Sequence, residues 1–477
     1  MTSPGALGRR RITADIAVQL VGKVANLALG VVVTVLLVRH LGERGFGEWS
    51  TLLAVTNLVV AAGSQTLLRV AVPRAAADHE REGAWMSALI GLQTLIAVPG
   101  ALIALAVIAA ISRGGDMRVA GVLIALTVLL NVPQALGAVF QLRVRNDLAM
   151  AVLTLNSLIW TGAVVAITSA DGGLPALAAA FTGATLITSI ATVVLAAPRV
   201  TFDWEAGRQL WAQIFKIAVP VGVFGIAVTA YNQVDQLIVF SIAGSKDAGL
   251  YGSVYRVLDQ AGVFPAAVVT TLTPILASTY RTDLPRVHRL LQVAADNLGI
   301  LSFGAIGIAI GAGKPILDLL YGEEFTQAAP ALAILMVAFV VICLGYVFGS
   351  MVVILNVQRR LLRYALLALG VNIGLNLIFV SLFGYIAAAC VTVITEVLIL
   401  ALTMHLVGPM IDFRLRYGRM ARTVLAAALM AGILLLLDSI DTPVGLLVLA
   451  AAGSYTAFLF LFRAIHPGEL YRLVTER

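Results

Sequence analysis

Charge is scarce in this sequence. Asp, Glu, Lys and Arg together make up 12% of its 477 residues, histidine occurs five times and cysteine twice. Soluble domains carry about 25% charged residues, so water is not the main solvent of this chain. The two cysteines, Cys343 and Cys390, have no metal-ligand spacing. Neither a zinc site nor a disulfide framework has anything to rest on. No Walker sequence, HExxH or GxSxG occurs, and the polar stretches are too short to form a sizeable domain outside the apolar ones. What is abundant is apolar surface, at 60% of residues.

Apolar runs long enough to span a bilayer fall at 15–38, 47–68, 85–111, 119–141, 148–168, 174–197, 214–242, 250–278, 291–312, 328–355, 361–382, 385–407, 421–438 and 444–464. A hydrocarbon core of about 30 Å needs roughly 20 apolar residues per helix, which each run supplies. These runs are continuous, not alternating ten-residue segments, so helices and not a barrel are implied. The expected fold is an all-α integral membrane protein of about 14 transmembrane helices. The first run is too long for a signal-peptide core and is followed by Arg39 and Arg44, so it is read as a retained helix.

Lys and Arg distribute unevenly across the loops that this count creates. One side receives Arg9 to Arg11, the loops around Arg74, Arg143 and Arg199, and later those around Arg286, Arg360 and Arg416, with the C-terminal arginines. The other side holds Arg39, Arg44, Arg113, Arg118, Lys246 and Lys314. The richer side is expected to be cytoplasmic, with both termini on it, in a cytoplasmic or inner membrane. An error of one helix would scramble the alternation, so the asymmetry supports the count as well as the orientation. It also explains the net charge of +7 without nucleic acid.

The polar break 198–213 divides the chain near its middle. Across it, Gly42 and Gly47 align with Gly244 and Gly249 at a common offset, each pair in the short outer loop between the first two helices of its half. The expected organisation is an N-terminal lobe over 1–197, a linker over 198–213, a C-terminal lobe over 214–407 and two more helices with a tail over 408–477. Six helices per lobe is an even number, so the lobes are expected to be parallel, around a central cavity.

Ionisable groups inside spans are costly and usually face a cavity or a partner. Lys23 lies in the inner part of the first helix, where it either snorkels to headgroups or lines a cavity. Arg256 and Asp235 stand equally far from the loop centred near Lys246 and are placed to pair, as a structural bridge or a gate, with Asp259 competing for the same guanidinium. Asp296 and Glu396 are further candidates for gating or coupling, a structural hydrogen bond being the alternative for Glu396. Uncharged Asn26, Asn57, Asn156 and Asn232 either meet a ligand or hold helices together. Nothing in the sequence calls for a metal or a cofactor.

The residues Leu20 to Asn26, Val38 to Gly42 and Gly45 to Trp49, with Asn232 to Ile238, Gly249 to Tyr251 and Ile316 to Phe325, carry a pattern. It resembles the Wzx-like polysaccharide-biosynthesis flippases of the multidrug/oligosaccharidyl-lipid/polysaccharide exporter superfamily. The resemblance covers most of the chain and implies a transporter, not an enzyme. Such a transporter flips a polyprenyl-diphosphate-linked oligosaccharide by alternating access, in contact with membrane lipids and glycan-assembly enzymes. Its diphosphate would need cations, for which Lys23, Arg256 and Arg69 are available. Three alternatives stand beside this: a peptidoglycan-precursor flippase, a drug/cation antiporter and a glycan polymerase or ligase. The antiporter calls for an acid well inside the first helix, where this chain has Lys23, and the enzymes call for larger outer loops.

Overall fold

The computed structural model describes the backbone of residues 4–143 and 145–465. Side chains are described there except at 4–21, 23, 24, 62–65, 69, 79, 146, 220, 221, 224 and 359. Fourteen α-helical segments follow one another: α1 (Pro4–Ala77), α2 (Glu82–Ile111), α3 (Gly115–Gln134), α4 (Ala138–Leu142), α5 (Asn146–Ser169), α6 (Leu174–Ala196), α7 (Trp204–Ala243), α8 (Ser245–Ala261), α9 (Val263–Thr279), α10 (Leu284–Tyr321), α11 (Ala329–Ile354), α12 (Gln358–Ile411), α13 (Gly418–Asp438) and α14 (Val444–Leu461). No strand occurs among the described residues.

Segments and membrane crossings are not the same set. Eleven helical stretches are long and apolar enough to cross a membrane, among the described residues. Two of them, Ala25–Ala77 and Arg360–Ile411, run 53 and 52 residues. At 1.5 Å per residue each is roughly 80 Å long, enough for two passes through a core of about 30 Å. Both break where a second pass would begin, at Gly42 (φ 65°, ψ −175°) and Gly384 (φ 59°, ψ −145°). An L side chain rarely adopts either conformation, which is why glycine occupies the turn. Gly244, between α7 and α8, has φ 95° and ψ 179°, nearly the conformation of its aligned partner Gly42.

The region 313–327, which lies between the apolar runs 291–312 and 328–355 and so would be a loop, is largely helical. Helix α10 breaks at Ala312 (φ −139°, ψ 17°), where the apolar run ends, and a second helical stretch carries the chain to Tyr321; Gly322 then turns it at φ 101°, and a 3-10 segment, Glu323–Ala328, leads into α11. Lys314 and Asp318 therefore stand on a helix. Two prolines break other spans. Pro133 has no N–H to give, and the backbone loosens into a 3-10 turn, Ala135–Gly137, between α3 and α4. Pro265 does the same to the junction of α8 and α9.

The chain divides into two compact units, Met1–Leu237 and Ile238–Arg477, the division falling inside α7. In the first, α1, α2, α4 and α7 close over a core that includes Leu67, Trp85, Met86, Leu89, Phe140 and Ile214. Threonine and serine hydroxyls tie α6 to α3, with Thr182 Oγ1 donating to Leu123 O at 2.8 Å and Ser189 Oγ to Leu130 O at 3.0 Å. At the arginine-rich end, Arg143 Nη2 donates to Glu82 Oε1 at 2.9 Å and to Arg199 O at 3.2 Å, clasping three interhelical connections. In the second unit α10 lies close on α13. A Cβ on Gly307 would stand 2.8 Å from Ala427 O, and one on Gly311 2.9 Å from Ala431 O. Small residues replace side-chain interdigitation there, as membrane helices require when van der Waals contact is the main attraction. Large apolar side chains such as Leu102, Ile190, Leu382 and Leu449 remain exposed, a surface suited to lipid.

Candidate functional site

A cavity lies beside the break at Pro133 in the first unit. The polar groups of Thr127, Asn131 and Gln134 face space that α1, α5 and α6 also line. Irregular backbone at membrane depth is tolerated where it borders such a space. The cavity is about 520 Å³ and open on one side. Its polar lining comes from Thr56 and Asn57 of α1, Thr127, Asn131 and Gln134 of α3, Gln141 of α4, Asn156 of α5, and Thr185, Thr188 and Thr192 of α6. Among the described residues, no Asp, Glu, Lys, Arg or His lines it.

Part of this lining is fixed by its own hydrogen bonds. Asn156 Nδ2 donates to Thr188 Oγ1 at 3.1 Å, linking α5 to α6. Asn131 Nδ2 donates to Thr127 O at 2.8 Å, and Asn131 O accepts from Gln93 Nε2 at 3.0 Å. These bonds orient the amide oxygens and hydroxyls, which keep lone pairs for a ligand. Phe181 also borders the space and belongs to an aromatic cluster, meeting Trp160 at 5.2 Å and Trp49 at 5.7 Å between centroids. The cluster makes one wall stiff and apolar, beside a wall of polar groups.

Of the residues singled out from sequence, Asn57 and Asn156 come together here. Asn26 does not line this cavity. Its Nδ2 donates to Gly22 O at 2.7 Å and to Thr154 Oγ1 at 3.3 Å, while Oδ1 is buried without a hydrogen-bond partner among the described residues. Asn232 is exposed on α7, one turn before Asp235, which is buried. The side chains of Lys23 and Arg69 lie outside the described residues. In the second unit, Arg256 sits close enough to Asp259 and Tyr321 to act electrostatically on both. Glu396 stands in the same relation to Tyr346. Asp296 is engaged in the N-terminal part of α10, where Gln292 Nε2 donates to it at 2.9 Å and Arg419 Nη1 lies 3.6 Å away.

The threonines of α6 went unremarked in the sequence reading, yet a signal was available. Thr185, Thr188 and Thr192 recur at spacings of three and four, one polar stripe on an otherwise apolar helix. Among the described residues, no group of histidine, cysteine and carboxylate side chains could hold a metal ion.

Comparison with known proteins agrees with this architecture. Residues 12–280 match the family model described as "Polysaccharide biosynthesis protein". Two curated relatives come from Haloferax volcanii. A probable low-salt glycan biosynthesis flippase, Agl15, is 21% identical over 43% of this chain and 43% of its own length. A probable flippase, AglR, is 25% identical over 35% of this chain and 36% of its own. The matched part thus spans less than half the length of either relative. Among solved structures, the lipid II flippase MurJ in an inward closed conformation superposes with a TM-score of 0.77 at 13% identity. That match covers 94% of this chain and 99% of MurJ. An inward-facing multidrug resistance MATE transporter of the MOP superfamily gives a TM-score of 0.65 at 12% identity, over 81% and 94%. At such identities these two likenesses speak for fold alone. The family model, matching more than half of the residues, decides membership: this chain, a multi-pass helical membrane protein with the fold of MOP-superfamily transporters, belongs to the polysaccharide biosynthesis protein family.

Proposed function

We propose that the protein flips a lipid-linked oligosaccharide, carried on a polyprenyl diphosphate, from the inner to the outer leaflet. The observation that carries this reading is the neutral cavity. Sugar hydroxyls both donate and accept hydrogen bonds; the lining threonine hydroxyls, whose protons go to backbone carbonyls of their own helices, offer them acceptor lone pairs, and the asparagine and glutamine amides offer further polar partners. A cationic drug would instead be served by a carboxylate, and none lines the cavity among the described residues. The names of the two archaeal relatives point the same way.

In this reading the chain crosses the membrane fourteen times with both termini in the cytoplasm. Its parallel lobes, 1–197 and 214–407, alternate access while 408–477 add two helices. Lys23, Arg69 and Arg256 supply cations for the diphosphate at successive depths, Asn26 and Asn232 add amides, and Asp235, Asp259, Asp296 and Glu396 act in gating or coupling. A phosphate leaving water needs charge-assisted hydrogen bonds, and cations inside an apolar slab need an anion in return.

The experiment is leaflet-to-leaflet transfer of a fluorescent polyprenyl-diphosphate glycan in proteoliposomes, comparing wild type with Asn57→Ala, Asn156→Ala and Lys23→Ala. Each asparagine variant is expected to lower transfer about tenfold, the effect of losing one or two buried hydrogen bonds to substrate. Lys23→Arg is expected to retain what Lys23→Ala loses. Wild-type rates in both asparagine variants would overturn the assignment of the cavity.

A further inference from the structure

A second cavity, larger and of opposite character, lies in the second unit. It encloses about 970 Å³ between the start of α10 and the connection 412–417 that joins α12 to α13. Arg289, Arg414 and Arg416 line it together with His288, and two carboxylates, Asp296 and Asp412, complete its ionisable lining. Asp296 is already met by Arg419 at 3.6 Å. Among the described residues no carboxylate is in ion-pair contact with the three lining guanidiniums, so the cavity carries an excess of positive charge.

The connection is held in place. Gln292 Nε2 donates to Arg416 O at 3.0 Å while Arg416 N donates to Gln292 Oε1 at 2.9 Å, a two-bond clamp from α10. The His288 ring nitrogen Nε2 donates to Ile411 O at 2.7 Å, and Phe413 packs on His288 and Phe348 at 5.5 and 5.9 Å between centroids. The arginines therefore stand on a fixed frame, which lowers the entropic cost of gathering them round an anion.

From this geometry we infer that the cavity binds the phosphate headgroup of an anionic membrane lipid. Arginine is the residue suited to phosphate, its planar fork meeting two oxygens at once. Placement favours a lipid over a soluble phosphate. Three candidate spans end at the cavity, Leu284–Tyr321, Arg360–Ile411 and Gly418–Asp438, so it opens where helices emerge from the membrane. Exposed Leu284, Met410 and Tyr417 flank it and offer an apolar and aromatic rim for the start of acyl chains. Basic pockets between helices on the positively charged side of a membrane protein are suited to such headgroups. The inference does not depend on which substrate the neutral cavity takes, and its test needs no transport.

The full-length protein in detergent is titrated with dioctanoyl phosphatidylglycerol, dioctanoyl phosphatidylcholine or sodium phosphate, and bound species are counted by native mass spectrometry. Phosphatidylglycerol is expected to bind about tenfold more tightly than phosphatidylcholine and than free phosphate. The triple variant Arg289→Gln/Arg414→Gln/Arg416→Gln is expected to lose that preference, whereas Arg281→Gln, an exposed arginine outside the cavity, keeps it. Equal binding of the two lipids overturns the proposal, as does a preference kept by the triple variant or lost equally in Arg281→Gln. Free phosphate binding as tightly as the lipid would assign the cavity to a soluble anion and overturn the lipid reading. If the triple variant does not fold, Arg414→Gln alone decides. A reduced preference supports the site and an unchanged one contradicts it.

Discussion

Glycine at position 384 shows how much one residue can determine. Its φ of 59° is left-handed, and a Cβ there would stand 2.3 Å from Asp247 Oδ2, the same oxygen that accepts from Tyr385 N at 3.2 Å. Gly384→Ala thus meets both backbone strain and a clash with the carboxylate that caps the turn. A loss of about 1–3 kcal/mol is expected, read as a lowered midpoint of thermal unfolding in detergent. Gly345→Ala, where no atom lies within 4 Å of the added methyl group, is the control and should leave the midpoint unchanged or raise it. Sequence pointed to Gly42 and Gly244 through their alignment, and both have positive φ. Gly384 escaped notice because its need for glycine comes from Asp247, 137 residues away. The same holds for the functional groups. Asn57 and Asn156 were candidates by polarity alone, and their meeting in one cavity depends on helix packing that no local pattern encodes.

Helices were the most legible level. Each expected apolar run lies within or across helical segments, because hydrophobic length is dictated by the bilayer and reads directly from composition. Ends were less legible. The stretch 313–327 carries Lys314, Asp318, Glu323 and Glu324 and looks like a loop by charge. The backbone does break at Ala312, where the apolar run ends, but charged residues are compatible with a further helical stretch, and one continues to Tyr321. Kinks were legible in principle, since Pro133 and Pro265 mark them, but that a cavity would lie beside the first of them was not. Packing between elements gives a further prediction. Gly311 of α10 lies against α13, where a Cβ would meet Leu434 Cβ at 2.6 Å and Ala431 O at 2.9 Å. Gly311→Val should force the helices apart and cost about 1–3 kcal/mol. Lowered thermal stability with α13 more open to protease would confirm it, and an unchanged unfolding midpoint would contradict the close approach.

At the scale of the molecule, class was legible early because it rests on bulk properties, apolar length and loop charge, that tolerate errors at single residues, while the family was legible only through the resemblance carried by stretches such as Gly45 to Trp49 and Ile316 to Phe325. The substrate was not, because sugars are read by uncharged groups that also serve as interhelical glue. Topology follows from the same bulk argument. A reporter that functions only outside the cytoplasm should be active when inserted at Lys246 and inactive when fused after Arg477, and the reverse pattern would refute the proposed orientation. The central claim is that the neutral cavity serves a glycan, and it is tested most directly by competition in proteoliposomes. Transfer of a fluorescent polyprenyl-diphosphate oligosaccharide is measured against the same lipid without its sugars and against a cationic drug. The account predicts transfer of the glycan-bearing lipid, about tenfold slower transfer of the bare polyprenyl diphosphate, and no inhibition by the drug. Equal transfer with and without sugars, or transfer of the drug in place of the glycan lipid, would contradict it.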